Sequence, residues 1–431
     1  MRWTICLCLL AAAPLPAQMW TLIDSEGPSG RRNSAAIYDP VGDRVLLHGG
    51  RGSSGDLADL WAFDVQTDSW QQLSAANEGP SPRFTHNAVY DDANHRMLLW
   101  SGRELTAAGS TLLNDVWELD LSSLTWRQRT PTTVAPVARY GTAAVFDPLA
   151  RQLVTFAGFT TQGRFNDTWR FAPDAAAWSD VTAASEQPGE RCLHAAAYDN
   201  QRHHMLIFGG QRGSASLDDA WALDLTTDVW TQLPSAAETG GRRFPAAAYH
   251  EGSDRLLVFG GLATDGSLGG DLWALPLHGG AWQQLTDSGP AARDGAVLVA
   301  IGSQSRLLLH GGTAADGNKA DTWSLRLPVP VTAVTELDEV QATPAAISLR
   351  TWPNPFNAQV ILHLQLAFSG DLTIYDSLGQ PVRQLGTHPA GARQLRWDGH
   401  DDSGQAVASG VYLAVVRSAS QRRIARLVLL R

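Results

Sequence analysis

Twelve of the sixteen tryptophans in this 431-residue chain fall into two columns of six, and that spacing constrains the fold more than any other feature. The first column is Trp61, Trp117, Trp169, Trp221, Trp273 and Trp323; the second is Trp20, Trp70, Trp126, Trp178, Trp230 and Trp282. Five times a first-column Trp is followed nine residues later by a second-column one. The sixth first-column residue, Trp323, has Thr332 in that place, and the spare second-column member is Trp20, at the other end of the chain.

The repeat, 50 to 56 residues long, has room for four short strands and their turns. Each copy opens on an Arg and an Ala-rich run, as in Arg83 to Asp91. A hydrophobic run ending in paired glycines follows, as in Leu206-Ile207-Phe208-Gly209-Gly210, then Asp-x-Trp, then Trp-x-x-Leu. Short β-type runs punctuated by Gly, Pro, Asn and Asp predict antiparallel meanders without helices of usable length. Six four-stranded units suggest radial closure, which leaves few strand edges exposed. The Ala-rich strands suit the crowded axis, and the tryptophans suit the wider spaces between units.

These paired glycines and spaced aromatics resemble the kelch repeat across residues 19 to 327. The resemblance implies an all-β, six-bladed kelch β-propeller. Ser101 and Ala157 replace the first glycine in two copies. The missing sixth Trp predicts that the last blade is completed by the N-terminal strand at Trp20 to Ile23.

Residues 1–17 read as a secretory signal, with Arg2, a short apolar run and Ala17 before the cut. The apolar run is too short to span a membrane. Removing it leaves Cys192 as the sole thiol, so no intramolecular disulfide is expected. The net charge of −10 argues against nucleic acid as a partner. Residues 328–344, with prolines at both ends, read as a linker. Residues 345–431 carry about seven short strands, which suits an Ig-like sandwich. The last of these, at Arg422 to Arg431, has apolar residues on both faces and should pair inside it. The runs Pro353-Asn354-Pro355-Phe356-Asn357, Ile374 to Gly379, Trp397-Asp398-Gly399 and Ser409-Gly410-Val411-Tyr412 resemble the Ig-like domain of flagellar hook-capping proteins and C-terminal sorting domains of type IX secretion. That implies contact with secretion machinery and a bacterial protein that is secreted or held at the outer cell surface. Asp398, Asp401 and Asp402 suit an Asp-Gly turn better than a calcium site.

The candidate binding residues are the Arg column, Arg31, Arg83, Arg139, Arg191, Arg242 and Arg293, with His86 and His194 on the inner strands. A ring of guanidiniums at a channel mouth suits carboxylate or sugar-acid ligands. An equally complete Asp column, Asp59, Asp115, Asp167, Asp219, Asp271 and Asp321, makes structural pairs the competing reading, because a ligand touches few blades and should break the symmetry. Two histidines do not make a metal site. His48 and His310, before paired glycines, read as packed. Copper radical oxidases occur among kelch propellers, but a single thiol without a histidine cluster leaves no copper site or other cofactor to expect. The function expected is a non-catalytic binding or adhesion module for an extracellular glycan or protein. The alternative is a carbohydrate-active enzyme of the sugar-acid mutarotase or lyase type.

Overall fold

The computed structural model describes residues 20–23, 26–107, 109–183, 186–286, 289–302, 305–327, 348–352, 359–366, 369–376, 380–389, 391–418 and 421–429. The proposed signal segment at 1–17 and linker at 328–344 lie outside them, as does the whole Pro353 to Asn357 motif. The chain divides into two compact units, Met1–Thr332 and Ala333–Arg431.

The first unit is nearly all β. Its described residues form six antiparallel sheets, five of four strands and the first of five because the short Arg31–Arg32 strand joins it, together with three small ladders and two short 3₁₀ turns. The innermost strands are Ala35–Asp39, Asn87–Asp91, Ala143–Asp147, Ala195–Asp199, Ala246–His250 and Val297–Ile301, and each opens the sheet numbered after it below. Each inner strand lies against the next, and the sixth lies against the first. The sixth sheet takes its outermost strand from the other end of the chain: Thr21–Ile23 pairs antiparallel with Thr322–Ser324.

Three sets of contacts join the sheets, and each passes through all six and returns to its start. The first is a ring of main-chain hydrogen bonds of 2.7 to 3.1 Å. Thr85 donates to Asn33, Gly141 to Thr85, Leu193 to Gly141, Phe244 to Leu193, Gly295 to Phe244 and Asn33 to Gly295. All six residues have φ between 52° and 64°. In the second set, the second residue of each glycine pair donates its N–H to the carbonyl of the next sheet's column Arg, as Gly210 does to Arg242 at 2.8 Å and Gly312 to Arg31 at 2.8 Å.

In the third set, each second-column Trp packs on the side chain before the previous sheet's glycine pair. The ring centroids are 5.5 Å apart for Trp126 on His48, 4.5 Å for Trp178 on Trp100 and 4.8 Å for Trp230 on Phe156. They are 5.3 Å apart for Trp282 on Phe208, 5.7 Å for Trp20 on Phe259 and 5.0 Å for Trp70 on His310. Burying these indoles contributes about 3 kcal/mol or more each.

The glycine pair follows from these contacts. A Cβ at the second position would sit 2.9 Å from the His194 Cβ at Gly210 and 2.9 Å from the His86 Cβ at Gly102. Its φ of 91° to 118° lies beyond what L-residues adopt readily. The first position is held at φ 60° to 72°, which Ser101 and Ala157 also adopt. This is why the departures from the repeat fall on the first glycine alone.

The second unit has seven strands in two sheets. One orders Ser348–Trp352, Val360–Leu366 and Gly391–Trp397; the other orders Pro381–His388, Gly370–Tyr375, Gly410–Ser418 and Gln421–Leu429. Val360, Leu362, Ile374, Trp397, Tyr412 and Leu427 belong to its core. Among the described residues the last strand lies at a sheet edge and pairs only with Gly410–Ser418, where the sequence suggested an interior position. Its apolar residues are accounted for by packing, since Leu427 and Leu429 are fully buried. Asp401 accepts backbone N–H groups from Ser403 and Gln405, which is turn geometry.

Candidate functional site

Each column Arg is buried and holds the Asp of its own sheet in a two-pronged pair, with N···O distances of 2.6 to 2.9 Å. Nη1 also donates to the carbonyl of the first residue of the glycine pair, at 2.9 to 3.3 Å. Nε donates to a carbonyl just upstream, at 2.8 to 3.0 Å. The Asp in turn accepts the first-column indole N–H at 2.6 to 2.8 Å. Burial opposes ionisation of Asp59, Asp115, Asp219, Asp271 and Asp321, but the Arg hydrogen bonds prevail and hold them below the ordinary carboxylate range. The structure thus brings each Arg to an Asp and a Trp of its own sheet and leaves the guanidinium little free hydrogen-bonding capacity.

His86 and His194 are buried where neighbouring sheets meet. His86 Nε2 shares a hydrogen bond of 3.1 Å with His48 Nδ1 of the first sheet, and His194 packs edge-on against Phe156 of the third. Burial, with nearby arginines, pushes His48, His194 and His310 down to about 3 and His86 well below its usual value. All four are therefore neutral packing groups at neutral pH.

One residue after each column Arg the uniformity ends. These positions hold Arg32, Phe84, Tyr140, Cys192, Arg243 and Asp294, and each directly precedes a member of the main-chain ring. They pair across to the residue after the glycine pair: Arg51, Arg103, Phe159, Gln211, Leu262 and Thr313. The side chains join into an arc over the first three sheets. Arg51 and Arg103 lie over the Phe84 ring at 5.5 and 6.0 Å, Arg103 lies over Tyr140 at 5.4 Å, and Arg164 lies over Phe159 at 5.3 Å. Arg51 is neutralised by Asp56 at 2.6 Å. Asp294 is buried between Arg32 and Arg243, and burial raises its pKa against their pull. Burial also raises the Cys192 thiol, which lies beside Arg164.

This end is asymmetric in shape as well as chemistry. Long hairpins extend the first three sheets, at Arg44–Gly52 with Asp56–Asp64, Arg103–Thr106 with Gly109–Leu112, and Gln152–Thr160 with Gly163–Ala172. The fourth and sixth sheets carry only two-residue ladders there. Beside the fifth sheet a groove of about 710 Å³ opens, lined by Thr239 to Arg242, Gly261, Ala263 to Asp265 and Ser267 to Asp271, and rich in glycine. Sequence reasoning passed over the variable positions because it sought residues shared by all copies. The available signal was the opposite one, a position with five residue types in six copies beside an invariant one. Among the described residues no group of three or more His, Cys, Asp or Glu is arranged to hold a metal ion.

The first unit matches the model of the KLHDC2/KLHL20/DRC7 Kelch-repeats domain at residues 10–134 and 93–250, and residues 359–422 match the FlgD Ig-like domain. The leucine-zipper-like transcriptional regulator 1 homolog of Drosophila melanogaster is 28% identical over 59% of this chain and 27% of its own length. Acyl-CoA-binding domain-containing protein 4 of Arabidopsis thaliana is 26% identical over 56% of this chain and 37% of its own. The chain therefore spans well under half the length of these relatives. The solved structure of YjhT superposes with a TM-score of 0.56 over 69% of this chain and 95% of that one, at 16% identity, and so shares the fold. Since the kelch matches cover more than half of its residues, the chain belongs to the kelch-repeat family, a kelch-type β-propeller followed by an Ig-like domain.

Proposed function

We propose that the first unit is a closed six-bladed propeller acting as a non-catalytic binding module, with its partner seated on the variable end around Arg32, Phe84, Tyr140, Cys192, Arg243 and Asp294. One observation carries this: one position is Arg in all six sheets, and the next on the same strands holds five different residue types across the six. A framework requirement repeats with the framework, whereas a partner touches each sheet differently. On this reading the Arg column is framework, since its donors are already engaged. The three sets of contacts that return to their start, together with the pairing of Thr21–Ile23 to the sixth sheet, support closure. We further propose that the segment at 1–17 and the Ig-like domain at 345–431 take the protein to the medium or the outer surface of a bacterial cell.

A photoreactive residue placed at position 32, 103 or 243, and at position 127 on an exposed outer strand, tests the binding face in the native host. Crosslinks to one partner from the first three positions and none from 127 are expected. Equal yield from 127 would overturn the reading. In the same cells, a chain ending at residue 344 should remain inside the envelope; its appearance in the medium at full yield would remove the sorting role.

A further inference from the structure

The guanidiniums at the variable end fall into two classes. Arg51 has its carboxylate in Asp56. Arg32, Arg103, Arg164 and Arg243 have no ion pair among the described residues. Arg103 donates to the Ser110 hydroxyl at 2.7 Å and Arg243 to the Ser216 hydroxyl at 3.2 Å, while the buried Arg164 Nε has no partner. Asp294 is the one carboxylate among the six variable positions; burial raises its pKa, while Arg32 and Arg243 beside it pull the other way. In an otherwise acidic chain of net charge −10, Arg103 and Arg164 thus carry positive charge with no facing carboxylate, and Arg32 and Arg243 share the single carboxylate of Asp294. Two of these groups are held in place beforehand, Arg103 over Phe84 and Tyr140 and Arg164 over Phe159. Stacking fixes the guanidinium plane and leaves its N–H edge to meet an oxygen pair, so less entropy is lost on binding.

We infer that Arg32, Arg103, Arg164 and Arg243 receive an acidic peptide segment, pairing with its carboxylates. This rests on the reading of that end as the binding face and names the partner's chemistry. An acidic polysaccharide fits less well. Sugar rings are gripped by open aromatic faces, and here Phe84 is covered by two guanidiniums, Tyr140 lies under Arg103 and against Phe159, and Phe159 lies under Arg164. Nucleic acid is disfavoured by the repulsion between its dense phosphates and the acidic chain.

The test is calorimetric titration of the full chain with a ten-residue Glu-rich peptide, its Gln-matched counterpart and polygalacturonate, at low and moderate salt. The Glu peptide should bind, more weakly as salt rises, and the Gln peptide should not. Arg103→Gln and Arg164→Gln should each weaken binding about tenfold, and the pair together further. Arg127→Gln, away from this end, should stay within about twofold. All variants should keep the parent melting temperature, because neither guanidinium carries a buried ion pair. The proposal falls if the Glu peptide does not bind, if the Gln peptide binds equally, if Arg127→Gln costs as much, or if polygalacturonate binds more tightly than the peptide. Partner crosslinks from positions 32, 103 and 243 alongside any of these failures would leave the binding face standing and remove only the acidic ligand.

Discussion

The column of Arg31, Arg83, Arg139, Arg191, Arg242 and Arg293 and the positions one residue later sit on the same strand entries, a single peptide bond apart. The first column is buried, paired and identical in six sheets. The second is mixed in charge, shape and burial, and two of its guanidiniums have no ion pair among the described residues. The contrast separates two demands on one strand. An Arg whose pair links the strand entry, the glycine carbonyl and the indole cannot vary without breaking a sheet. Its neighbour carries no such obligation, so its identity is free to answer to something outside the chain.

The sharpest way to break this comparison is to truncate one member of each column. Arg191→Ala leaves the buried end of Asp219 and the Gly209 carbonyl short of a partner, and about 3–5 kcal/mol of stability should be lost. Arg243→Ala should change stability by about 0.5 kcal/mol or less. Denaturant unfolding measures both, and equal losses would erase the distinction.

The comparison sharpens at the seam. If the framework is uniform even where two distant chain segments share a sheet, Trp20→Ala should cost as much as Trp126→Ala, about 3 kcal/mol each. Both indoles pack on the preceding sheet, and both lie against a glycine of the connection before the next Arg, Gly289 and Gly79. A Trp20 loss under about 1 kcal/mol would show that the sixth sheet does not depend on its borrowed strand.

A smaller effect separates the framework's two kinds of packing residue. His310 occupies the position that is Phe156, Phe208 or Phe259 in three other sheets. Its native pKa of about 3 lies below the unfolded value, so the unfolded chain binds more protons between these limits. The stability contribution is complete above about pH 6.5 and is lost as pH falls towards 3. His310→Phe should therefore lose about 2 kcal/mol less than the parent between pH 7 and pH 5, read from unfolding at the two pH values. Parallel pH profiles would place the titration elsewhere.

The sheets were legible because tryptophan spacing survives every variation in loop length, and the Arg–Asp pairing was legible as two columns of equal length. Other features depend on which sheets are neighbours. The His48–His86 hydrogen bond joins residues from different repeats, so no single repeat contains it. The close approach at the first glycine shows only when the next sheet is in place, with the Arg242 carbonyl 2.5 Å from where the Gly209 Cβ would be. The arc of Arg51, Phe84, Arg103, Tyr140, Phe159 and Arg164 was missed for a related reason, since it is assembled from three sheets and no single repeat contains it.

The pairing of Thr21–Ile23 with Thr322–Ser324 has a consequence in time. The two partners are separated by about 300 residues, so during synthesis at about 5–20 residues per second the first strand waits roughly 15 to 60 seconds for its neighbour to be made. Until then Trp20 has neither Phe259 nor Gly289 to cover it, and the first five sheets can assemble as an open arc. The final step is long-range in sequence, and such contacts form slowly. Export of an unfolded chain would postpone that wait until both partners were already across the membrane.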